Sequence, residues 1–173
     1  MKRKIANLIL VISLSVVAFL FVPPARAEQD RITVEPRLIL GYANFLDEGP
    51  LHHFVAGGSA RLYLTRRLGF EPELVYMYRS AADQDLVFLP NLTWDFRDPS
   101  KRVVPYVIGG YGVLRHTDLT GNGRFTSNSV MASAGFGAKF FLSRSLFVSP
   151  EFRLGWEPHY RITCSIGYSR RKK

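Results

Sequence analysis

The stretch ARLYLTRRLGFEPELVYMY, residues 60–78, decides the fold. Leu62, Leu64, Leu68, Phe70, Leu74, Tyr76 and Tyr78 keep one parity, and Arg61, Glu71, Glu73 and the following Arg79 take the other. Successive side chains of a strand point to opposite faces, so this period predicts a hairpin with one oily and one charged face. The segment AKFFLSRSLFVSPEFRLGW, residues 138–156, aligns with it without a gap. Arg61 falls on Lys139, Leu64 on Leu142, Arg66 on Arg144, Pro72 on Pro150 and Glu73 on Glu151. A hairpin that returns four strands later suits a barrel of hairpins.

Outward from these two hairpins the same alternation predicts eight strands. Their expected bounds are about Arg31–Asn44, Phe54–Thr65, Phe70–Arg79, Leu86–Phe96, Val103–Arg115, Ser129–Leu142, Leu146–Trp156 and Tyr160–Tyr168. Short turns at Thr65–Gly69, RDPSK and SRS alternate with longer loops, FLDEGPLHH, SAADQ, about His116–Asn128, and EPH. Strand five, VVPYVIGGYGVLR, is apolar on both parities; Tyr106, Ile108 and Leu114 are assigned to its oily face.

The charged face carries Glu35, Arg37, Arg61, Glu71, Glu73, Arg79, Asp95, Lys139, Glu151, Arg153 and Arg161. An eight-stranded barrel has room inside only for side-chain filling or one small ligand, too little for all the aromatics of the other face. The expectation is therefore an inverted barrel, with leucines and aromatics towards lipid and charges paired inside. Only helices and closed barrels satisfy every backbone group in hydrocarbon. Tyr42, Phe54, Tyr76, Tyr78, Trp156 and Tyr160 would form one interfacial girdle, and Phe70, Trp94, Phe96, Phe140 and Tyr168 the other. Pro36, Pro72, Pro90, Pro105 and Pro150 run against the scheme, because proline removes a ladder donor. Pro72, Pro105 and Pro150 come soon after turns, while Pro36 and Pro90 fall deeper.

The ends of the chain fit export. Lys2, Arg3 and Lys4 precede an apolar run, Ile5–Val22, and Ala25-Arg26-Ala27 fits a small-x-small cleavage site. Residues 1–27 read as a cleaved secretory signal peptide, with an uncleaved helical anchor as the alternative. The residue immediately after the cleavage site is Glu28 and not cysteine, which excludes a lipoprotein signal. Removing four cations with it lowers the net charge from +9 to about +5. Part of that excess is the basic tail SRRKK, residues 169–173. The single cysteine, Cys164, cannot form an internal disulfide, which points to a Gram-negative envelope more than to a small secreted scaffold. No aromatic-interleaved basic patch argues for nucleic acid.

With GGSARLYLTRRLGFEPEL, PYVIGGYGV, ASAGFGAKFFLSRSLFVSPEFR and the closing ITCSIGY in view, the chain resembles the small outer-membrane β-barrel family, the eight-stranded OmpA/OmpX/opacity-like proteins. The resemblance spans nearly all of residues 28–168. It implies an all-β, antiparallel up-and-down transmembrane barrel in the cell outer membrane. It also implies contact with outer-membrane lipid and lipopolysaccharide, insertion by the barrel assembly machinery, and a surface available to an extracellular partner. Members usually end on an aromatic residue that the assembly machinery reads; here SRRKK follows Tyr168.

Candidate chemistry is sparse. His52, His53, His116 and His159 lie in or beside the longer loops, with Asp47, Glu48 and Asp118 near in sequence. Imidazole with carboxylate suits transition metals, but only His52-His53 is closely spaced, so polar loop residues are the expectation. A lipid A-modifying enzyme would need Ser–His–acid geometry at the rim. His116 with Ser127 or Ser129 and Asp118 is the one such grouping, and RHTD does not match the His-x-Ser-Asn spacing of lipid A deacylases. Glu71, Glu73 and Glu151 are expected instead to balance Arg37, Arg61, Arg79 and Arg153, filling the lumen with ion pairs. Cys164 lies on the lipid face as a small apolar residue, and Gly121-Asn122-Gly123 reads as a turn. No catalytic residue, cofactor or metal is expected. The function read from these residues is a structural or surface-interaction barrel without an open pore. The alternatives are a lipid A-modifying enzyme and a soluble lipocalin-like binder, which needs the faces reversed.

Overall fold

The structure is a computed structural model that describes residues 33–46, 51–80, 83–120, 123–156 and 159–169. The expected signal peptide, the residues preceding Thr33 and the last four residues of the tail lie outside the described residues. Eight strands form: β1 Val34–Phe45, β2 Leu51–Tyr63, β3 Leu68–Ser80, β4 Asp83–Asp95, β5 Val103–Thr120, β6 Gly123–Phe141, β7 Leu146–Gly155 and β8 His159–Tyr168. Each pairs antiparallel with its neighbours in sequence, and β1 pairs with β8 from Arg37↔Gly167 to Phe45↔His159, closing the barrel.

The alternation read from residues 60–78 fixes the faces. Arg61, Glu71 and Glu73 point inward and are buried, while Leu64, Leu74, Tyr76 and Tyr78 are exposed on the outer wall. The repeat at residues 138–156 behaves alike, with Lys139, Glu151 and Arg153 inside and Phe140, Leu142, Leu154 and Trp156 outside. Elsewhere Leu38, Leu40, Phe88, Leu92, Trp94, Ile162, Ile166 and Tyr168 cover the exterior. Faces arranged this way contradict a soluble lipocalin-like barrel.

Strand five requires a correction. Tyr106, Ile108 and Leu114 face the lumen, 1%, 3% and 4% exposed, whereas Val107, Tyr111 and Val113 face out. The parity is set by Tyr106, whose phenol donates to Glu151 at 2.7 Å across the bore. Gly112 shares the inward parity, and a side chain is excluded there because the backbone carbonyl of Phe88 occupies the place a Cβ would take.

The loops also differ from expectation. β5 and β6 run 18 and 19 residues, pairing from Val103↔Phe140 to Thr120↔Gly123, so the expected loop at 116–128 is almost wholly strand. The SAADQ loop shrinks to residues 81–82 between β3 and β4. The β-branched residues Thr117, Thr120 and Thr126 favour this extension of the ladder. At the opposite end the turns hold as expected. Thr65 Oγ1 accepts from the backbone N–H of Arg67 and Leu68 at 3.3 and 3.0 Å, and Ser143 Oγ accepts from Ser145 and Leu146 at the same two distances. The repeated hairpin thus repeats its turn. In the turn after β4, Asp98 accepts from the Ser100 backbone N–H at 2.8 Å, which holds its carboxyl below the usual range.

The prolines find places where a donor is not needed. The β2–β3 ladder skips the rungs between Ser59↔Glu73 and Leu62↔Phe70, opposite Pro72. The β6–β7 ladder skips those between Gly137↔Glu151 and Phe140↔Val148, opposite Pro150. The β4–β5 ladder skips the rungs at Leu89 and Pro90 and ends at Asp95↔Tyr106, just short of Pro105. Pro36 lies one residue past the last β1–β8 rung at Arg37. Each proline therefore has one flank where the ladder lapses or ends, which answers the objection raised by Pro36 and Pro90.

Candidate functional site

The buried inward-facing side chains lie in layers. At the turn end Val104, Phe141 and Phe147 pack together. Above them Lys139 Nζ lies 2.8 Å from Asp95 and 3.3 Å from Glu35, and it donates to the Tyr63 hydroxyl. Arg61 bridges Glu71 at 2.6 Å and Asp95 at 3.0 Å, with its guanidinium 4.4 Å from the Tyr106 ring centre. Arg37 reaches Glu71 at 3.5 Å. Next, Arg153 contacts Glu151 at 2.5 Å and Glu73 at 2.8 Å, and Arg161 contacts Glu73 at 2.7 Å. Several of these pairs join strands that are not neighbours, as Lys139 of β6 with Glu35 of β1 and Arg153 of β7 with Glu73 of β3, so they run across the bore, while Arg153 and Glu151 are neighbours along β7. Charges removed from water must be paired in this way.

The expected balance of charges is largely met, with one correction. Arg79 does not enter the bore; it lies at the loop end and pairs with Asp83 at 3.3 Å. A β-bulge between Tyr78 and Ser80 turns it there. Arg161 and Lys139 take cationic places inside instead.

Above the ionic layer the inner face turns apolar. Ile39, Ala43, Val55, Val75, Met77, Val87, Leu89, Leu114 and Met131 form one buried cluster. Sequence reasoning missed this layer. Its signal was present in LVYMY and DLVFL, where alternation gives way to apolar residues on both parities, as expected of a strand buried on two sides.

Over that cluster, at the loop end, the structure gathers titratable groups. His53 Nε2 lies 3.3 Å from Asp83 Oδ1 and 3.6 Å from Asp85 Oδ2. His116 Nδ1 lies 2.7 Å from Asp85 Oδ1 and 3.9 Å from Asp83 Oδ1. The four histidines do share this end, on strands rather than in loops. His52 is exposed and contacts the Tyr42 hydroxyl, and His159 packs beside the Phe45 ring, so neither joins the cluster. Asp118 faces Asp83 across the β4–β5 ladder, and Asp47 and Glu48 lie outside the described residues. Asp83 and Asp85 were missed because DQD was read as loop; its i, i+2 spacing at a strand start was the available signal. Ser127 stands opposite His116 in the β5–β6 ladder, yet among the described residues the His116 side chain bonds Asp85 and no side-chain hydrogen bond joins it to Ser127 or Ser129.

No family model matches the chain. No curated protein matches it either. Solved structures do. The chain has the fold of the small outer-membrane β-barrels. It is similar to the N-terminal barrel domain of Pseudomonas aeruginosa OprF, with a TM-score of 0.66 and 15% identity over 80% of this chain and 97% of that one. Neisserial surface protein A gives 0.66 and 13% over the same shares, 80% and 97%. Ail, the attachment invasion locus protein of Yersinia pestis, gives 0.54 and 10% over 80% and 95%. The small outer-membrane barrel fold thus carries here an apolar exterior bounded by two aromatic girdles. Tyr42, Phe54, Tyr76, Tyr78 and Trp156 are exposed at the loop end, and Trp94, Phe96, Phe140 and Tyr168 at the turn end. The eight steps from Phe70 to Tyr78 cover about 27 Å of strand, or about 20 Å of height at the usual tilt, close to the apolar band of such barrels.

Proposed function

We propose that the protein is an integral outer-membrane barrel with a structural or surface-interaction role and no open pore. Residues 1–27 would direct export and be removed. Residues 28–168 would insert through the barrel assembly machinery among outer-membrane lipid and lipopolysaccharide. Residues 169–173 would remain as a short basic tail. The observation that carries this reading is the inverted barrel: aliphatic and aromatic side chains on the outer wall, with Lys139, Arg61, Arg153 and Arg161 bridging carboxylates across the bore. Two chemically different layers, the ionic network and the apolar cluster above it, block the axis. An ion crossing them would have to displace buried pairs and then traverse hydrocarbon side chains.

The long β5–β6 hairpin supports a surface role. It extends beyond the other strands at the loop end, which we place outside the cell. The name of one structural neighbour, an attachment invasion locus protein, is in keeping with a barrel that presents such a surface. A lipid A-modifying activity has less support, since His116 is engaged with Asp85 rather than with a serine.

Reconstitution into planar bilayers tests the pore claim. The barrel, verified by slower or faster gel migration before and after heating, is expected to give no discrete conductance steps. Steady unitary steps from the purified barrel would overturn it. Lipid A extracted from cells overproducing the protein is expected to keep its mass spectrum.

A further inference from the structure

The cluster at the barrel mouth is more than a set of ion pairs. Asp83 and Asp85 each have one carboxylate oxygen held by a cationic or imidazole group from outside the cluster centre. Arg79 Nη1 lies 3.3 Å from Asp83 Oδ2, and His116 Nδ1 lies 2.7 Å from Asp85 Oδ1. The other oxygen of each, Asp83 Oδ1 and Asp85 Oδ2, is directed at His53 Nε2, at 3.3 and 3.6 Å. The three ligand-type atoms lie within 4.8 Å of one another. In a tetrahedral site with ligand bonds of about 2.0–2.1 Å, ligand atoms are separated by about 3.3–3.4 Å. The two separations from His53 Nε2, 3.3 and 3.6 Å, are close to that edge length.

The surroundings are those of a built site. His53 is 2% exposed and Asp85 3%, and the Phe45 ring meets the His53 ring edge-on at 5.2 Å. The floor is the apolar cluster of Val55, Val75, Met77 and Val87. The open side is at the mouth, where the Arg79 and His116 side chains are 46% and 34% exposed. The ligands come from two strands, His53 from β2 and Asp83 and Asp85 from β4, so their positions are set by the barrel wall and not by a loop.

We propose that His53, Asp83 and Asp85 bind a divalent transition-metal ion of the zinc class at the barrel mouth, with Arg79 and His116 as positioning residues. One imidazole and two carboxylates leave a fourth place open towards solvent, available to water or to a ligand atom from an external partner. Groups that orient metal ligands through their second atom typically change affinity by about ten- to a hundredfold when removed. The inference does not depend on the outer-membrane reading, since it concerns only residues on the four adjacent strands β2 to β5.

The folded full-length barrel in detergent micelles is titrated with Co2+ and then with competing Zn2+. The expected result is one Co2+ per barrel, with the visible absorption of a low-coordinate site that Zn2+ abolishes. Binding should weaken at least tenfold in His53→Gln and in Asp83→Asn. It should weaken about tenfold in Arg79→Met with recovery in Arg79→Lys, and stay unchanged in His52→Gln. Gel migration before and after heating confirms that each variant folds. The wild-type titration is decisive by itself: no saturable Co2+ binding below millimolar concentration overturns the proposal. So does equal binding by the wild type and by the folded Asp83→Asn variant, or a loss in His52→Gln as large as that in His53→Gln.

Discussion

Lys139 shows what a single buried residue does in this bore. Its ammonium is fully buried and is the cation within salt-bridge distance of Glu35, while Asp95 also has Arg61. Replacing Lys139 by Met keeps much of the volume but leaves Glu35 without a cation at salt-bridge distance among the described residues, held by the hydroxyls of Tyr63, at 3.3 Å, and Ser169. An uncompensated buried charge costs far more than a methionine stem gains, so Lys139→Met is expected to lower stability by about 3–5 kcal/mol. Urea unfolding in micelles, followed by Trp fluorescence, measures it. Adding Glu35→Gln to the variant should restore a good part of the loss, because the orphaned charge is then gone. At this scale the sequence was readable wherever strict alternation held. Arg61, Glu71 and Lys139 could be placed inside from parity alone. Arg79 could not, because a bulge shifts the parity just before it. Tyr106 could not either, because its inward position depends on Glu151 and Ser149, which stand more than forty residues away in sequence.

The element scale is best seen in the two equivalent hairpins, β2–β3 and β6–β7. Each turn is closed by one hydroxyl that accepts two backbone N–H groups, Thr65 in the first and Ser143 in the second. Such local side-chain bonds set the turn and with it the register of both strands. Thr65→Val and Ser143→Ala are each expected to cost about 1 kcal/mol, and the double variant about the sum, since the turns lie on separate hairpins. Unfolding midpoints of the three variants would show it; strong non-additivity would mean that the turns are coupled. Eight strands, their order and their two faces were legible because period-two patterning is local. The length of β5 and β6 was not, because His116–Thr120 and Gly123–Asn128 are polar apart from Leu119 and Phe125 and read as loop. Pairing to the tip is a property of two segments together. The prolines were illegible for a related reason: their tolerance depends on which neighbouring ladder lapses, and a single strand does not reveal that.

For the molecule as a whole, the decisive property is which solvent each side of the wall meets. Leu74 lies mid-strand on the exterior, 51% exposed and opposite Gly58. Leu74→Arg is expected to cost about 2–4 kcal/mol in a bilayer, as lipid-facing cations do near the midplane. Unfolding of the barrel from phospholipid vesicles tests it, with the same change at the rim position Phe54 as a milder comparison. A negligible loss at Leu74 would mean that this wall does not face hydrocarbon. The layering of the lumen, ionic below and apolar above, was only half visible beforehand, since inner and outer apolar side chains look identical in a linear chain. The seam between β1 and β8 has a kinetic consequence. Its nine rungs join the two extremes of the barrel sequence, from Arg37↔Gly167 to Phe45↔His159. Until β8 docks, β1 and β7 each present a row of unsatisfied amides, which hydrocarbon penalises severely. Sealing is therefore the most distant contact in the chain and the natural bottleneck of assembly. A curved, unsealed sheet is the species that any insertion catalyst would have to hold.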